Sequence, residues 1–425
     1  MTSHTNHTVL DNVFQRFLNG PSVFKDRDVL RHDYVPEKLP HREQQIRCFG
    51  EIVAPVLRGS RCSNVFIYGK TGTGKTAVVK FVLNTLVQRA RQFGAIVKIC
   101  YVNCRLIGTE YRILSNLCAA LGAKVPFTGL AVGEVYERFK KTLNQRKILF
   151  IAVLDEIDAL IHARGDVLLY ELTRINGCLC SSKTSIVGIS NDLRFKEFLD
   201  PRVLSSLSEE EIVFRPYDAA ELRDILSDRA WLAFQKGALL EGSIDLCAAL
   251  AAAEHGDARR ALDLLRVAGE VAERKGESLV TEGHIRQAER RIEHDQTVEA
   301  LKNLPLHSKL VLCSVYLLGK VKISSAITGD IYEIYRELCD LSGLSPLTQR
   351  RVSSLVNELD VIGLLNTRVV SMGRYGRTRK TRLSVARGLI REVFTSDGRL
   401  RGLVDHAPKC FSTISSSRGR RRLPL

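Results

Sequence analysis

Short apolar runs alternate with stretches of helical period from residue 63 to residue 215. Asn64–Tyr68 (NVFIY) runs into a glycine and predicts a buried strand. Ala95–Val102, Ile148–Leu154, Ser185–Ile189 and Glu211–Phe214 predict four more. Ile148–Leu154 is apolar at every position, as a strand covered on both faces should be. Lys75–Gln92 carries Val78, Phe81, Val82 and Leu86 at helical spacing. Strands alternating with helices predict an α/β fold, a parallel sheet with helices on both faces. Between the second and third strands lie two helical patterns, Glu110–Leu121 and Val132–Leu143, where one crossover helix would suffice.

After Asp218 the strand signal stops. Ala219–Gln235, Ile244–Glu254, Ala258–Arg274 and Thr281–Lys302 read as helices of an all-α module, closed by Pro305. Leu306–Leu318, Gly329–Leu341 and Ser345–Leu359 predict three more helices. A hairpin of Leu364–Val370 and Lys380–Val385 follows, around a tip rich in glycine and arginine. That is the order of a winged helix. The expected divisions are a disordered polar tail over 1–22, an α/β base over 23–215 and an all-α lid over 216–304. A winged helix over 305–386 and a basic tail over 387–425 complete them.

Charge sharpens the picture at the C-terminal end. The chain carries 63 Lys and Arg against 47 Asp and Glu, a net +16. Residues 341–390 hold nine of the cations against Glu358 and Asp360, and 391–425 hold eight against three. A localised basic surface fits a polyanion partner. Gln349, Arg350 and Arg351 open the third helix of the winged unit and suit a DNA major groove. Arg374, Arg377, Arg379, Lys380 and Arg382 on the wing suit phosphates or a minor groove; a solvated basic hairpin is the plainer alternative. No run approaches the ~18 apolar residues of a membrane span, so no membrane role is expected. The eleven cysteines lack zinc-ligand spacing. The close pairs Cys100/Cys104 and Cys178/Cys180 read as small apolar filler in a reducing cytoplasm.

The chemistry sits in the α/β half. Gly69 to Thr76 (GKTGTGKT) matches the phosphate-binding pattern G-x-x-x-x-G-K-[ST], between a strand and a helix. Gly72, Thr73 and Gly74 let backbone N–H groups converge on phosphate oxygens. Lys75 would neutralise the β- and γ-phosphates, and Thr76 would ligate Mg²⁺. Asp155 and Glu156 end the third strand, at the edge where open α/β sheets bind ligands. Asp155 would hold Mg²⁺ through water, and Glu156 would orient the attacking water. Asn191 follows the fourth strand and could position that water, or could simply cap a turn. Arg259 opens a lid helix and could read the γ-phosphate. Arg202 could act on a neighbouring subunit's nucleotide.

These motifs, with Gly256–Leu262 (GDARRAL), resemble the AAA+ ATPases. Further segments resemble the archaeal replication-initiator family, related to the largest subunit of the eukaryotic origin recognition complex and to its helicase-loading partner. They are Val29-Leu30, Tyr34-Val35-Pro36, Leu39–Glu43, Val203–Leu207, Phe214–Tyr217, Glu221-Leu222, Ile225-Leu226 and Arg229. The resemblance spans about residues 23 to 385. It implies an AAA+ base, an all-α lid and a C-terminal winged helix. It also implies slow, Mg²⁺-dependent ATP turnover with ATP or ADP bound, at double-stranded origin DNA on the nucleoid. The implied protein partners are a replicative helicase of the minichromosome maintenance type and paralogous initiator subunits. By resemblance, Tyr34, Val35, Pro36 and Arg42 lie near the adenine, and Tyr217 and Arg229 flank the nucleotide from the lid. Phe127 and Thr128, between the two helices Glu110–Leu121 and Val132–Leu143, would grip DNA or merely decorate the surface. Some relatives carry an arginine where this chain has Ser205-Ser206, which leaves Arg202 as the candidate trans arginine. The rival readings are a clamp-loader-like ATPase and a transcription regulator with a vestigial ATP site.

Overall fold

The computed structural model describes residues 10–11, 14–15, 18–32, 34–207, 209–321, 326–371 and 377–409. Most of the expected N-terminal tail, the wing-tip residue Arg374 and the C-terminal stretch 410–425 lie outside the described residues. The chain divides into two compact units, 1–289 and 290–425.

The first unit begins with α1 (Glu43–Val53), β1 (Val65–Gly69), α2 (Lys75–Gln92) and β2 (Val97–Asn103). Then come α3 (Cys104–Ile107), α4 (Glu110–Ala120), α5 (Val132–Asn144), β3 (Leu149–Asp155), α6 (Ile157–Arg164) and α7 (Val167–Arg174). The base closes with β4 (Lys183–Ser190), α8 (Pro201–Leu207) and β5 (Glu210–Phe214). The strands form one sheet in the order β2-β3-β4-β1-β5, parallel throughout. Both faces are covered, and β3 shows how. Phe150, Ala152 and Leu154 enter one core with α4 to α7, while Leu149, Ile151 and Val153 enter the other with α1 and α2. Period-two geometry with apolar residues on both sides produces the unbroken run seen in the sequence. Two helices were expected between β2 and β3; there are three, because Asn103 caps the additional turn α3 through Leu106 N–H (3.0 Å).

Parallel register aligns the strand ends. Asn103 lies opposite Asp155, Asp155 opposite Ile189, and Gly69 opposite Phe214. The loops after β1, β3 and β4 therefore leave the same edge of the sheet.

The lid of this unit contains α9 (Ala219–Ala233), α10 (Ser243–Glu254) and α11 (Ala258–Lys275), and α12 (Glu282–Asn303) continues into the second unit. Residues 23–30, expected to belong to the base, pack on the lid instead. Lys25 and Asp26 N–H donate to the Ala233 carbonyl at the end of α9. Glu273 of α11 accepts from Val23 N–H, Phe24 N–H and Arg27. The Phe24 ring meets Phe234 at 4.8 Å and fills the space over Gly269. Burying Val23, Phe24, Val29 and Leu30 holds this segment on the lid.

The second unit contains α13 (Leu306–Lys320), β6 (Ala326–Ile327), α14 (Thr328–Leu341), α15 (Gln349–Val361), β7 (Leu365–Ser371), β8 (Arg377–Leu383) and α16 (Arg387–Ser396). Its antiparallel sheet has the order β6-β8-β7. The basic tail expected from residue 387 instead starts as α16. Ile390, Val393, Phe394, Leu400, Leu403 and Val404 join the core around α13, because this basic stretch carries apolar residues at helical spacing. Cysteine needs one correction too: Cys100 and Cys104 are buried, but Cys178 and Cys180 are exposed. Their short segment is anchored through Ile175. Among the described residues no helix is long and apolar enough to cross a membrane.

Candidate functional site

The aligned strand ends bring the candidate nucleotide residues together. Gly72 and Gly74 adopt φ of 72° and 88°, which favours glycine, and Gly74 opens α2. Lys75 is buried, and its ammonium donates to the Gly69 and Lys70 carbonyls at 2.8 and 2.7 Å. Burial lowers its pKa to about 8, opposed by Asp155 and reinforced by the nearby Arg259 charge. Thr73 Oγ1 donates to the Lys70 carbonyl at 2.8 Å, closing the loop on itself.

Thr76 Oγ1 donates to Asp155 Oδ2 at 2.9 Å. Burial pushes the Asp155 carboxyl up, against the downward pull of Thr76 and of Glu156 N–H. Two hard oxygens converging beside an undercompensated buried carboxylate are what a small divalent cation requires. The residues present therefore fit Mg²⁺, and Thr76 and Asp155 are the pair that would hold it. Tyr101 on β2 also donates its hydroxyl to Asp155 Oδ2. Sequence reasoning missed Tyr101; its signal was its place two residues before the end of the neighbouring strand.

Glu156 sits in the left-handed region at φ 52°, ψ 46°, rare for a residue with a side chain. The strain, on the order of 1 kcal/mol, is held by its partners. Its N–H reaches Asp155 Oδ1 at 2.9 Å, Asn103 Nδ2 donates to its Oε1 at 3.4 Å, and Arg105 lies 3.6 Å from Oε2. Because the Asn103 oxygen caps α3, its amide N–H₂ is left facing Glu156. Asn103 and Arg105 were not singled out in the sequence. Asn191 has its backbone fixed by Asp158 Oδ1 at 3.2 Å, and Ser190 Oγ donates to the same oxygen at 2.9 Å.

The lid reaches this loop directly. Asp257 caps α11, accepting from Arg259 N–H at 2.7 Å and Arg260 N–H at 3.4 Å. Its carboxylate lies so close to Gly72 that any Cβ there would collide with it. Arg259 is exposed, with its charge felt at Lys75. Arg202 is exposed too, and forms a two-pronged pair with Asp200, both contacts at 3.0 Å.

Two residues expected beside the nucleotide hold backbone carbonyls. Arg42 is fully buried and donates to the carbonyls of Thr73, His41 and Arg215 at 2.9, 2.9 and 2.8 Å. Its guanidinium lies 3.6 Å from the Tyr217 ring centre, and the Tyr217 hydroxyl lies against Gly74. Arg229 donates to the Val29 and Tyr34 carbonyls at 3.0 and 3.3 Å and sits over the Tyr34 ring. It ties Tyr34 to the lid, leaving Tyr34 and Val35 exposed and Pro36 partly so. Between α4 and α5, Phe127 is 76% exposed beneath the Arg112 guanidinium, and Thr128 is exposed beside it.

In the second unit Thr348 caps α15, and Gln349, Arg350 and Arg351 are exposed on its first turn. Arg351 is paired with Glu358 at 2.9 Å. The hairpin separates the wing cations by face. Arg379 shares the side of buried Thr381 and donates to Asn357 of α15. Lys380 and Arg382 point to the other, exposed side, where Lys380 lies directly opposite Arg368. Arg368 was missed because only the register reveals its neighbour. Arg377 lies at the start of β8.

Family models match the three parts in order: an AAA domain over 58–193, a Cdc6 AAA+ ATPase-type lid domain over 223–290, and a CDC6 C-terminal winged helix domain over 299–393. The chain is 51% identical over 418 residues to an ORC1-type DNA replication protein of Thermococcus onnurineus, covering 97% of this chain and 99% of that protein. It is 49% identical over 396 residues to an ORC1-type DNA replication protein 1 of Sulfolobus acidocaldarius, covering 93% and 98%. The solved structure of the Aeropyrum pernix ORC1 protein in complex with DNA is 51% identical, covers 90% of this chain and 99% of its own, and superposes with a TM-score of 0.81. Identity of this order along nearly the whole chain places the protein in the archaeal Orc1/Cdc6 initiator family, the ORC1-type DNA replication proteins.

Proposed function

We propose that this protein binds duplex origin DNA and uses ATP binding and hydrolysis to control loading of a replicative helicase, alone or with paralogous initiator subunits. The convergence of Lys75, Thr76, Asp155, Glu156 and Asn191 at one sheet edge, under a lid docked on Gly72, carries the ATP part. The exposed cations of α15 and the wing, with the DNA-bound relative, carry the DNA part.

Lys75 supplies the positive charge for the β- and γ-phosphates. Thr76 and Asp155 hold Mg²⁺, which supplies charge neutralisation for the phosphate chain. Glu156, held by Asn103 and Arg105, orients water from the sheet edge, and Asn191 fixes the far side. Arg259 senses the γ-phosphate from the lid, and Arg202 faces outward, where a second subunit's nucleotide could receive it. Tyr34–Pro36 and Tyr217 border the base. Gln349 and Arg350 read bases; Arg368, Arg374, Arg377, Lys380 and Arg382 contact phosphates.

Nucleotide titration and turnover separate these roles. Glu156→Gln should keep ATP affinity and lose hydrolysis, whereas Lys75→Ala should lose affinity. Parental turnover in Glu156→Gln would refute the assignment.

A further inference from the structure

The phosphate loop is held from outside at two successive peptide units. The Gly72 carbonyl accepts from Ala258 N–H, the first helical residue of α11, at 3.2 Å. The next carbonyl, Thr73, accepts from Arg42 Nε at 2.9 Å. In a planar trans peptide the C=O and the following N–H point in opposite directions. Fixing the Gly72 carbonyl therefore aims Thr73 N–H, and fixing the Thr73 carbonyl aims Gly74 N–H. These are donors of the phosphate cradle. We propose that Ala258 and Arg42 are positioning residues that orient the cradle, so that docking of the lid is itself a determinant of phosphate affinity. This rests on the nucleotide reading above and is separate from any reading of the γ-phosphate by Arg259.

The surroundings are built for these two contacts. The first N–H groups of a helix have no partner within it. In α11, Asp257 accepts the second and third, and Gly72 accepts the first. Gly72 and Thr73 are both buried, so neither carbonyl has ready access to water as a substitute. Arg42 has no carboxylate partner among the described ion pairs; each of its three nitrogens donates to a backbone carbonyl, and its face lies on Tyr217. Fully buried, with each of its three nitrogens donating to a carbonyl, this guanidinium presents no exposed edge to a purine. It orients the loop instead of recognising the base.

The first contact can be broken without loss of a hydrogen bond inside α11. Proline is favoured at the first position of a helix, where its missing N–H is not needed internally. The preceding residue, Asp257, already has the extended backbone that proline requires, φ −89°, ψ 111°. Ala258→Pro therefore leaves the hydrogen bonds of α11 intact, while it deletes the donor and sets the ring Cδ where the N–H met the Gly72 carbonyl, forcing the two apart.

The experiment titrates full-length parent, Ala258→Pro, Arg42→Lys and Arg42→Ala with ATP, GTP, ADP and inorganic tripolyphosphate, and records the ligand-free melting midpoint. For Ala258→Pro the expected result is a loss of at least roughly threefold for ADP and tripolyphosphate alike, the worth of one net hydrogen bond being about three- to tenfold and the displaced carbonyl adding to it. The ATP-to-GTP ratio should stay at its parental value, and the ligand-free midpoint should fall only modestly, since α11 keeps its own hydrogen bonds. Arg42→Lys should likewise lose affinity for both ligands at an unchanged ATP-to-GTP ratio, with a lower ligand-free midpoint, since an ammonium cannot replace the planar fork that holds three carbonyls. Should Arg42→Ala fail to fold, Ala258→Pro still decides the matter. Parental affinity in Ala258→Pro overturns the role of the lid. A changed ATP-to-GTP ratio in Arg42→Lys shows contact with the base and overturns the role of Arg42. A parent that binds none of the nucleotides sinks the underlying reading instead.

Discussion

The exposed face of the wing offers a quantitative test of DNA binding. Arg368 and Lys380 lie directly opposite each other on β7 and β8, and Arg382 lies two residues along the same face. No described ion pair involves any of the three. Like charges directly opposite on a sheet are destabilising, so this arrangement costs the free protein a few tenths of a kcal/mol. A phosphate backbone would reverse that cost. Replacing all three by alanine removes three phosphate contacts, each worth about 0.9 in the slope of log K against log salt, or about 2.7 together. Over a fourfold rise from 50 to 200 mM salt, parent and triple variant should diverge by roughly 40-fold in their loss of affinity. Fluorescence anisotropy with specific and random duplexes at several salt concentrations measures it. The ligand-free melting midpoint should hold or rise. Arg379→Ala is the internal comparison, because its guanidinium is engaged by Asn357 of α15. It should lower affinity by misplacing the wing, with a slope change below one unit. A triple variant whose slope matches the parent's, or whose loss is confined to one sequence, would refute the reasoning.

Arg259→Ala should weaken ATP more than ADP; equal losses in calorimetry would show that it reads no γ-phosphate. The buried Lys75 titrates near pH 8 in the folded chain, against an ordinary lysine value of 10.5. The unfolded chain therefore binds the extra proton between these values, and this group's contribution to stability rises with pH across that window. Polyphosphate should draw the proton back, so ADP binding near pH 9 should take up protons, seen as a buffer-dependent binding enthalpy; no uptake would contradict the placement of Lys75. Gly269→Ala should destabilise by about 1–3 kcal/mol through overpacking, although alanine normally improves a helix interior. The added Cβ would come within 2.4 Å of Phe24. A raised melting midpoint would mean that residues 23–30 do not rest on α11.

Much of the base was legible because its signals are local. β3 shows in the sequence as an unbroken apolar run, since both of its faces are buried. The phosphate loop shows because glycine is needed where φ is positive. What escaped depends on register. Tyr101 and Asn103 carry no motif of their own, and become partners of Asp155 and Glu156 only when β2 lies beside β3 with Asn103 opposite Asp155. Arg368 likewise becomes half of a like-charge pair only when β7 and β8 align. Net charge located the basic region correctly but did not distinguish Arg379, turned toward α15, from Lys380, turned to solvent; strand alternation does.

The N-terminal segment shows why motif order misassigns a boundary. Residues 23–42 precede the sheet, and continuity of chain suggests one body with it. Packing divides them. Val23, Phe24 and Leu30 are buried on the lid side, where Glu273, Ala233 and Arg229 also claim the segment's polar groups. Twelve residues after Leu30, Arg42 is committed to Thr73 and Arg215, at the phosphate loop and the end of β5. Tyr34–Pro36 thus spans between an anchor on the lid and an anchor on the base, with Tyr34 held from the lid by Arg229. Adenine contacts made by this stretch would report the separation of the two bodies. The two anchors are an arginine each, and both side chains are buried, with donors on backbone carbonyls and cation–π contacts to Tyr217 and Phe214 for Arg42 and to Tyr34 for Arg229. A buried guanidinium satisfied by the backbone fixes where two chain segments meet, whatever side chains those segments carry. The resemblance places Arg42 near the adenine and Arg229 beside the nucleotide. What the structure adds is the carbonyls each one holds, and with them the chain segments each one joins.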